Sequence, residues 1–483
     1  MSAEIHLLPG LIQGEEFMQQ GVTSLRIFLQ HTAVCAGLLF LAGTAVQADE
    51  WKAGTARAVI TPDQPVWLAG YGSRRVPEDK LHDLWMKALA LQAGDSDPVV
   101  LITSDFQGVP RSMSNRVFAR LRAEYGLQRT QVMFTFSHNH CGPRLGDDLI
   151  DYYPVDARQE KLVAEYTDRM VEQTVLLVRD ALNSLQPARL QHGTGRTTFA
   201  VNRRNNSEAD IPELLAAGTP LVGPVDHSVP VLHVTTGDQE SLAVLFGYAC
   251  HPTTLSFTTW CGDYPGFAQL QIEKQFPGTC AMFVNTCGGD QNPLPRRKVE
   301  LCEKYGTMLA TAVSEVLTSS MQPVQPTLRT DFRMIELPYL EVVDREQLEA
   351  LLQDASAIRA RWAARLLRQL DKGQTFETGS PYPLHAWKLG QELLWIGMGA
   401  ETVVDYALRF KLEYGPGTWV MGYSDDMLAY IPSRRVWEEG GYEGGSFLYE
   451  YGRPAFRWQG DMEDRIATAV DHLVQQVGGG LNK

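Results

Sequence analysis

Positive charge is scarce in this chain of 483 residues: 43 lysines and arginines stand against 57 aspartates and glutamates, for a formal charge of −14. Nucleic-acid surfaces and polybasic membrane anchors need clustered Lys and Arg, so no nucleic-acid partner is expected. Long apolar runs are missing after residue 50, which leaves no candidate membrane span in the body of the chain. Several catalytic signatures are missing as well. There is no GxSxG elbow, no GxxxxGK loop, no HExxH helix and no GxGxxG after a strand, so serine hydrolases, phosphate-binding loops, zincins and dinucleotide folds lack their defining geometry. None of the 7 cysteines forms a CxxC zinc pair, and no internal repeat or low-complexity tract is visible. What remains, with 44% hydrophobic and 21% charged side chains, is an ordinary globular composition.

The beginning of the chain reads differently. "SLRIFLQHTAVCAGLLFLAGTAVQADE" has one arginine, an apolar core and a small-residue ending at Ala45 to Ala48, which is the pattern of a secretory leader. Glu4, Glu15 and Glu16 are wrong for the positive flank of a leader, so translation is expected to start at Met18. Residues 1–48 are then removed and the mature chain begins at Asp49, as a secreted or periplasmic protein. An uncleaved anchor is the alternative, disfavoured because the apolar segment is short for a bilayer. Cleavage removes Cys35 and leaves Cys141, Cys250, Cys261, Cys280, Cys287 and Cys302. An even set permits disulfides in an exported chain, with a pairing the sequence does not give. We read these cysteines as structural or free, and not as metal ligands.

From Trp51 onward short β-rich runs alternate with amphipathic helices, as in "DPVVLITSDF", "RSMSNRVFARLRAEYG" and "QVMFTFSHNH". This rhythm predicts an α/β fold. We expect a single large domain over residues 49–477, with a mixed sheet flanked by helices and the active site at the carboxyl ends of the strands, then a disordered tail at 478–483. One long helix is expected through "DREQLEALLQDASAIRARWAARLLRQLDKG", and a closing helix at "DMEDRIATAVDHLVQQV".

In open α/β sheets ligands bind beyond the carboxyl ends of the strands, so the residues that follow each apolar run matter most. "VVLITSD" delivers Asp105, "VMFTFSHNH" delivers His138 and His140, "LAVLFGYACHP" delivers His251, "CAMFVNTCGGDQNP" delivers Asp290 and Asn292, and "ELLWIGMGAE" delivers Glu401. Side chains alternate along a strand, so His138 and His140 can face one cleft while Asn139 faces away. Imidazoles from two strand ends and a carboxylate from a third are the donors that zinc accepts where a position stays open for water or substrate. A single histidine at such a place is more often a hydrogen-bonded core or surface residue; it is His138, His251 and Glu401 taken together that favour a metal. "VNRRNN" sets Arg203 and Arg204 after a short apolar run, suited either to an oxyanion or to a solvated surface.

These motifs together resemble the neutral/alkaline, non-lysosomal ceramidases, zinc amidases that hydrolyse the N-acyl bond of ceramide. "AGTARAVITPDQPVWLAGYGSR", "LITSDFQGV", "FSHNHCGP", "VNRR", "ACHPTTL", "GDYPGFA", "GGDQNP", "MGAETVVDYALRFK", "YSDDMLAYIPS" and "GGYEGG" follow in the family's order. The resemblance implies that His138, His251, Glu401 and Tyr430 are zinc ligands, and that His140, with Arg203 nearby, touches the substrate's polar head or the oxyanion. Two features depart from the family pattern. Asn292 stands where the family's Gly-Asp-Val-Ser-Pro has its serine, and after "DHLVQQV" the chain leaves no room for the immunoglobulin-like domain with which those ceramidases continue.

The resulting expectation is an exported zinc hydrolase in which zinc lowers the pKa of a bound water to about 7. His140, Arg203 and Asn292 are the candidate catalytic groups around an amide carbonyl. Asp105 and Asp290 are expected to fix the tautomers of ligating imidazoles. The substrate is a small molecule or a lipid such as ceramide, with transient contact to a membrane surface. An amidase or esterase for a non-lipid substrate, and a non-catalytic metal-containing binding protein, are the alternatives.

Overall fold

The computed structural model describes residues 50–480. The leader expected at 1–48, and the residues of the tail from 481 onward, lie outside them.

The first part of the fold is a mixed sheet built from β1 (Trp51–Val59), β2 (Trp85–Ala93), β3 (Val99–Ser104), β4 (Val132–Phe134), β5 (Gln186–Arg196), β6 (Ser228–Thr236), β7 (Ser241–Tyr248) and β8 (Cys280–Asn285), in the spatial order β8-β7-β6-β5-β1-β2-β3-β4. Gln322–Pro323 adds a short strand beside β5. The central pairings are antiparallel, whereas the outermost pairs, β3 with β4 and β7 with β8, are parallel. Helices α1 (Arg111–Tyr125), α2 (Ala157–Asn183), α3 (Asp263–Gln275) and α4 (Val299–Leu317) cover one face.

Side-chain alternation explains why the other face is covered too. In β2, Met86, Ala88 and Ala90 join the helices, while Leu89 and Leu91 point the opposite way. There they meet Trp387, Trp395 and Trp419 of a second sheet. Its strands are β9 (Leu328–Pro338), β10 (Gly379–Leu389), β11 (Leu393–Met398) and β13 (Thr418–Met421), in that order, with β11 and β13 parallel. β11 alternates in the same manner: Leu393 and Trp395 face the first sheet, while Leu394, Ile396 and Met398 face α7 (Val404–Tyr414) and α8 (Met462–Gln476). The result is four layers, helices on sheet on sheet on helices. The expected mixed sheet flanked by helices is present; the second sheet was not foreseen, because half of β9 is polar and reads as a loop edge.

Local chemistry sets the element ends. Asp156 caps α2 by accepting from the Gln159 N–H at 3.0 Å. In β1, Gly54 lets α2 sit directly on the sheet, since a Cβ there would lie 2.3 Å from the Ala181 carbonyl oxygen. The long helix expected after Asp344 is two helices, α5 (Arg345–Leu351) and α6 (Ala357–Asp371). Ser356 begins the second by capping the Arg359 N–H, so the apolar periodicity carries across a break that the polar residues enforce.

Candidate metal centre

Each parallel strand pair ends on one side of the fold, and its two exit loops are therefore neighbours. β3 and β4 deliver Asp105 and the 135–141 loop, β7 and β8 deliver His251 and the 286–292 loop, and β11 delivers Glu401. Glu401–Thr402 (β12) pairs in parallel with Tyr430–Ile431 (β14), which sets Glu401 directly beside Tyr430. The strand-end expectation holds, with one correction. β4 stops at Phe134, and His138 lies in a loop with φ of 66°. The two histidines converge because the chain turns between them, and not through strand alternation. A non-glycine residue in this left-handed conformation is held there by its surroundings.

Glu401 Oε2 lies 3.1 Å from His138 Nε2 and 2.9 Å from His251 Nε2. All three residues are buried, and these donor atoms lie within 4.8 Å of one another. The Nδ1 atoms decide the chemistry. His138 Nδ1 is 2.7 Å from the Gln107 carbonyl and His251 Nδ1 is 2.6 Å from the Gly288 carbonyl. A carbonyl only accepts, so each Nδ1 carries the proton and each Nε2 presents a lone pair. Two imidazole lone pairs and a carboxylate oxygen then face one point, a donor set that repels itself until a cation sits among them. The charges agree. Burial, with Arg203 adding to it, pushes His251 down to about 4. Burial alone would raise Glu401, but positive charge on the facing imidazoles outweighs it and holds the carboxyl well below its ordinary value, a charge that a cation among neutral imidazoles would supply instead.

Tyr430 Oη is 3.5 Å from His251 Nε2, at the edge of this group. Arg203 Nη2 donates to Tyr430 Oη at 3.1 Å and to the Gly289 carbonyl at 2.7 Å, while Nη1 donates to Asn292 Oδ1 at 3.1 Å. Glu443 accepts from Arg203 Nε at 2.9 Å. Arg204 does not face the centre; it pairs with Glu439 and Glu443. His140 Nε2 stands 3.1 Å from His138 Nε2, and His140 Nδ1 has no hydrogen-bond partner among the described residues. Tyr71 packs edge-on against the His140 ring at 4.8 Å. All the residues expected at the site are thus brought together: His138, His140, Arg203, His251, Asn292, Glu401 and Tyr430.

Asp105 and Asp290 do not do what was expected of them. Asp105 accepts from the Trp85 N–H at 2.8 Å, and Asp290 from the Val404 N–H at 2.9 Å and Asn202 Nδ2 at 3.1 Å. They tie their loops to the starts of β2 and α7, while backbone carbonyls orient the imidazoles. Glu443 was missed, and so was Tyr451, whose hydroxyl donates to Glu401 Oε1. No spacing in the sequence marks either. Cys141, Cys250, Cys261, Cys280, Cys287 and Cys302 are all buried free thiols, with Cys261 Sγ 3.8 Å from His82 Nε2 and none within the candidate metal group.

The fold and site define an α/β protein with a metal-type donor cluster at the ends of its parallel strand pairs. A family model described as neutral/alkaline non-lysosomal ceramidase, N-terminal, matches residues 51–339. The chain belongs to that family. It is 24% identical over 277 residues to the neutral ceramidase of Pseudomonas aeruginosa, a match covering 54% of this chain and only 40% of that relative. The crystal structure of neutral ceramidase from Pseudomonas aeruginosa superposes with a TM-score of 0.63 at 19% identity, covering 88% of this chain and 75% of that one. A ceramidase complexed with C2 gives a TM-score of 0.64 at 18% identity, covering 87% and 76%. At such identities the structural likeness establishes the fold.

Proposed function

We propose that this chain is a zinc-dependent hydrolase of an N-acyl amide bond, of ceramide or a related compound, acting after export. The observation that carries the reading is the convergence of two imidazole lone pairs and a carboxylate on one buried point. Zinc suits that donor set, and Tyr430, whose Oη lies 3.5 Å from His251 Nε2, would complete it. When bound, zinc supplies Lewis acidity and makes hydroxide available at neutral pH.

The remaining roles belong to the chain itself. Arg203, held on both sides by Glu443 and Asn292, keeps the Tyr430 hydroxyl in place and presents positive charge where an oxyanion develops, a contribution of roughly 3 kcal/mol per donor. His140 differs from the two ligating imidazoles in having an Nδ1 without a hydrogen-bond partner among the described residues, while its Nε2 faces His138 Nε2 at 3.1 Å, so Nδ1 is open to take up a proton. That is the property needed to hand a proton to the leaving amine. Asn292 commits its carbonyl to Arg203 and is a support, with no nucleophilic role. Tyr71, Tyr423, Tyr430 and Tyr451 stand against the centre with Arg203 behind Tyr430, which favours a compact polar N-acyl compound as the second reading of the substrate. Support for export is the leader pattern; among the described residues no helix is long and apolar enough to cross a membrane.

The test is elemental analysis of purified protein with hydrolysis of N-acylsphingosine and of short N-acyl amines. Wild type should carry about one zinc per chain, and His138→Ala and His251→Ala should carry none. Unchanged zinc in both variants would remove the site.

A further inference from the structure

Helix α6 lies away from the strand ends, yet one of its faces reaches the metal centre through three loops. Ile358, Arg361, Trp362 and Arg365 recur at the spacing that places them on one face. Ile358 reaches the Gly72 loop, where its Cδ1 would be 3.3 Å from a Cβ. Arg361 donates to the carbonyls of Asp151 at 3.0 Å and Tyr152 at 2.8 Å, and Trp362 Nε1 donates to the Arg453 carbonyl at 2.9 Å. Arg365 binds two loops at once. Its Nε lies 2.9 and 2.8 Å from the two carboxylate oxygens of Asp151, and its Nη2 donates to Asp151 Oδ2 at 2.7 Å and to the Gly452 carbonyl at 2.8 Å. Asp151 is only 5% exposed. Forked pairing of this kind fixes direction as well as distance. Gly452, with φ of 74°, leaves room for the guanidinium, since a Cβ there would meet Arg365 Nη2 at 3.1 Å.

The two clamped loops carry tyrosines that back the centre. Tyr153 Oη accepts from the Gly70 N–H at 2.8 Å, and Gly70 lies so close to His140 that a Cβ would sit 2.4 Å from its Nδ1. Tyr451, immediately before Gly452, donates its hydroxyl to Glu401 Oε1. One guanidinium on α6 therefore holds the loops behind both His140 and Glu401.

We propose that Arg365 is a positioning residue of the metal centre: by pinning the Asp151 and Gly452 loops together it keeps Tyr451 on Glu401 and so sets how tightly zinc is held. The inference rests on the metal reading above. Partners that orient a ligating group typically change metal affinity by 10- to 100-fold.

Zinc affinity is measured by chelator competition on wild type, Tyr451→Phe, Arg365→Met, Arg365→Lys and the Tyr451→Phe/Arg365→Met double variant, with thermal unfolding of each metal-free protein alongside. Tyr451→Phe and Arg365→Met should each weaken zinc about 10-fold or more. The double variant should be no weaker than Tyr451→Phe alone, because Arg365 acts through Tyr451. Arg365→Lys, which keeps a charge beside Asp151 but loses the fork, should lose less and provides the measurement should Arg365→Met fail to fold. A lowered unfolding temperature with unchanged zinc affinity in the Arg365 variants overturns the proposal, as does a double variant whose losses add. Wild type that takes up no zinc removes the metal reading and this proposal with it; wild-type zinc uptake with unaltered variants removes this proposal alone.

Discussion

The region up to Pro323 orients its donor side chains at the candidate metal centre through the main chain, whereas the region from Leu328 onward orients its own through side chains. His138 and His251 are aimed by the carbonyls of Gln107 and Gly288. Glu401 is aimed by the Tyr451 hydroxyl, and Tyr430 by Arg203. A carbonyl survives a substitution at its own residue that leaves the loop intact, which holds for Gln107 but not for Gly288, where a Cβ would lie 2.8 Å from the Cys250 backbone nitrogen. The carboxylate half is where one mutation can retune or lose the centre. The matched family segment, residues 51–339, includes the first region's contributions and stops before Glu401, Tyr430 and Tyr451.

The largest effect separates charge from shape in the second region. Glu401→Gln preserves size and hydrogen bonding but removes the negative charge, and it should abolish both zinc content and hydrolysis, as His251→Ala should from the other side. Zinc retained by the Gln variant would show that this half contributes position alone.

The join between the regions gives the next effect. Asp425 Oδ1 accepts from the Phe134 N–H at 3.0 Å, while Oδ2 accepts from Arg129 Nη2 at 2.8 Å and His385 Nε2 at 2.5 Å. Burial would raise this carboxyl, but Arg129 and His385 outweigh burial and hold it at about 2. Being held below its ordinary value, it contributes stability in full above about pH 4 and loses it as pH falls through about 2, a contribution of about 2 kcal/mol. Asp425→Asn should cost that much in denaturant unfolding at pH 6, with the gap to wild type closing between about pH 4 and 2. A gap that stays constant across that range would mean that the bridge acts by shape and not by charge.

The smallest effect tests whether the first region has any side-chain nucleophile. Asn292→Ala removes one acceptor from Arg203, so kcat should fall about 10-fold, the loss of one ordinary hydrogen bond. Asn292→Ser should stay close to wild type. A rise of several orders of magnitude in Asn292→Ser would show that a serine there opens a different route.

The strand-end donors were legible because apolar runs that stop abruptly at His or Glu announce a polar site at a sheet edge. Tyr430 was reached only through family resemblance, since a tyrosine two residues into "AYIPS" carries no local mark of ligation. The carbonyls of Gln107 and Gly288 were invisible because every residue has one, and the aspartates expected in their place are engaged by backbone N–H groups at the starts of β2 and α7. The second sheet was hidden in β9, whose side chains are mostly half-exposed and follow no clean alternation. The break between α5 and α6 was hidden by an apolar period that runs through it.

The order of the donors along the chain has a consequence for biosynthesis. His251 and Glu401 are 150 residues apart, and Tyr451 comes later still. A nascent chain displays its imidazoles long before the carboxylate exists, and a pair of imidazoles without that charge holds zinc weakly. On the proposed zinc reading, metal capture waits for the carboxylate, and its free energy goes to the finished fold.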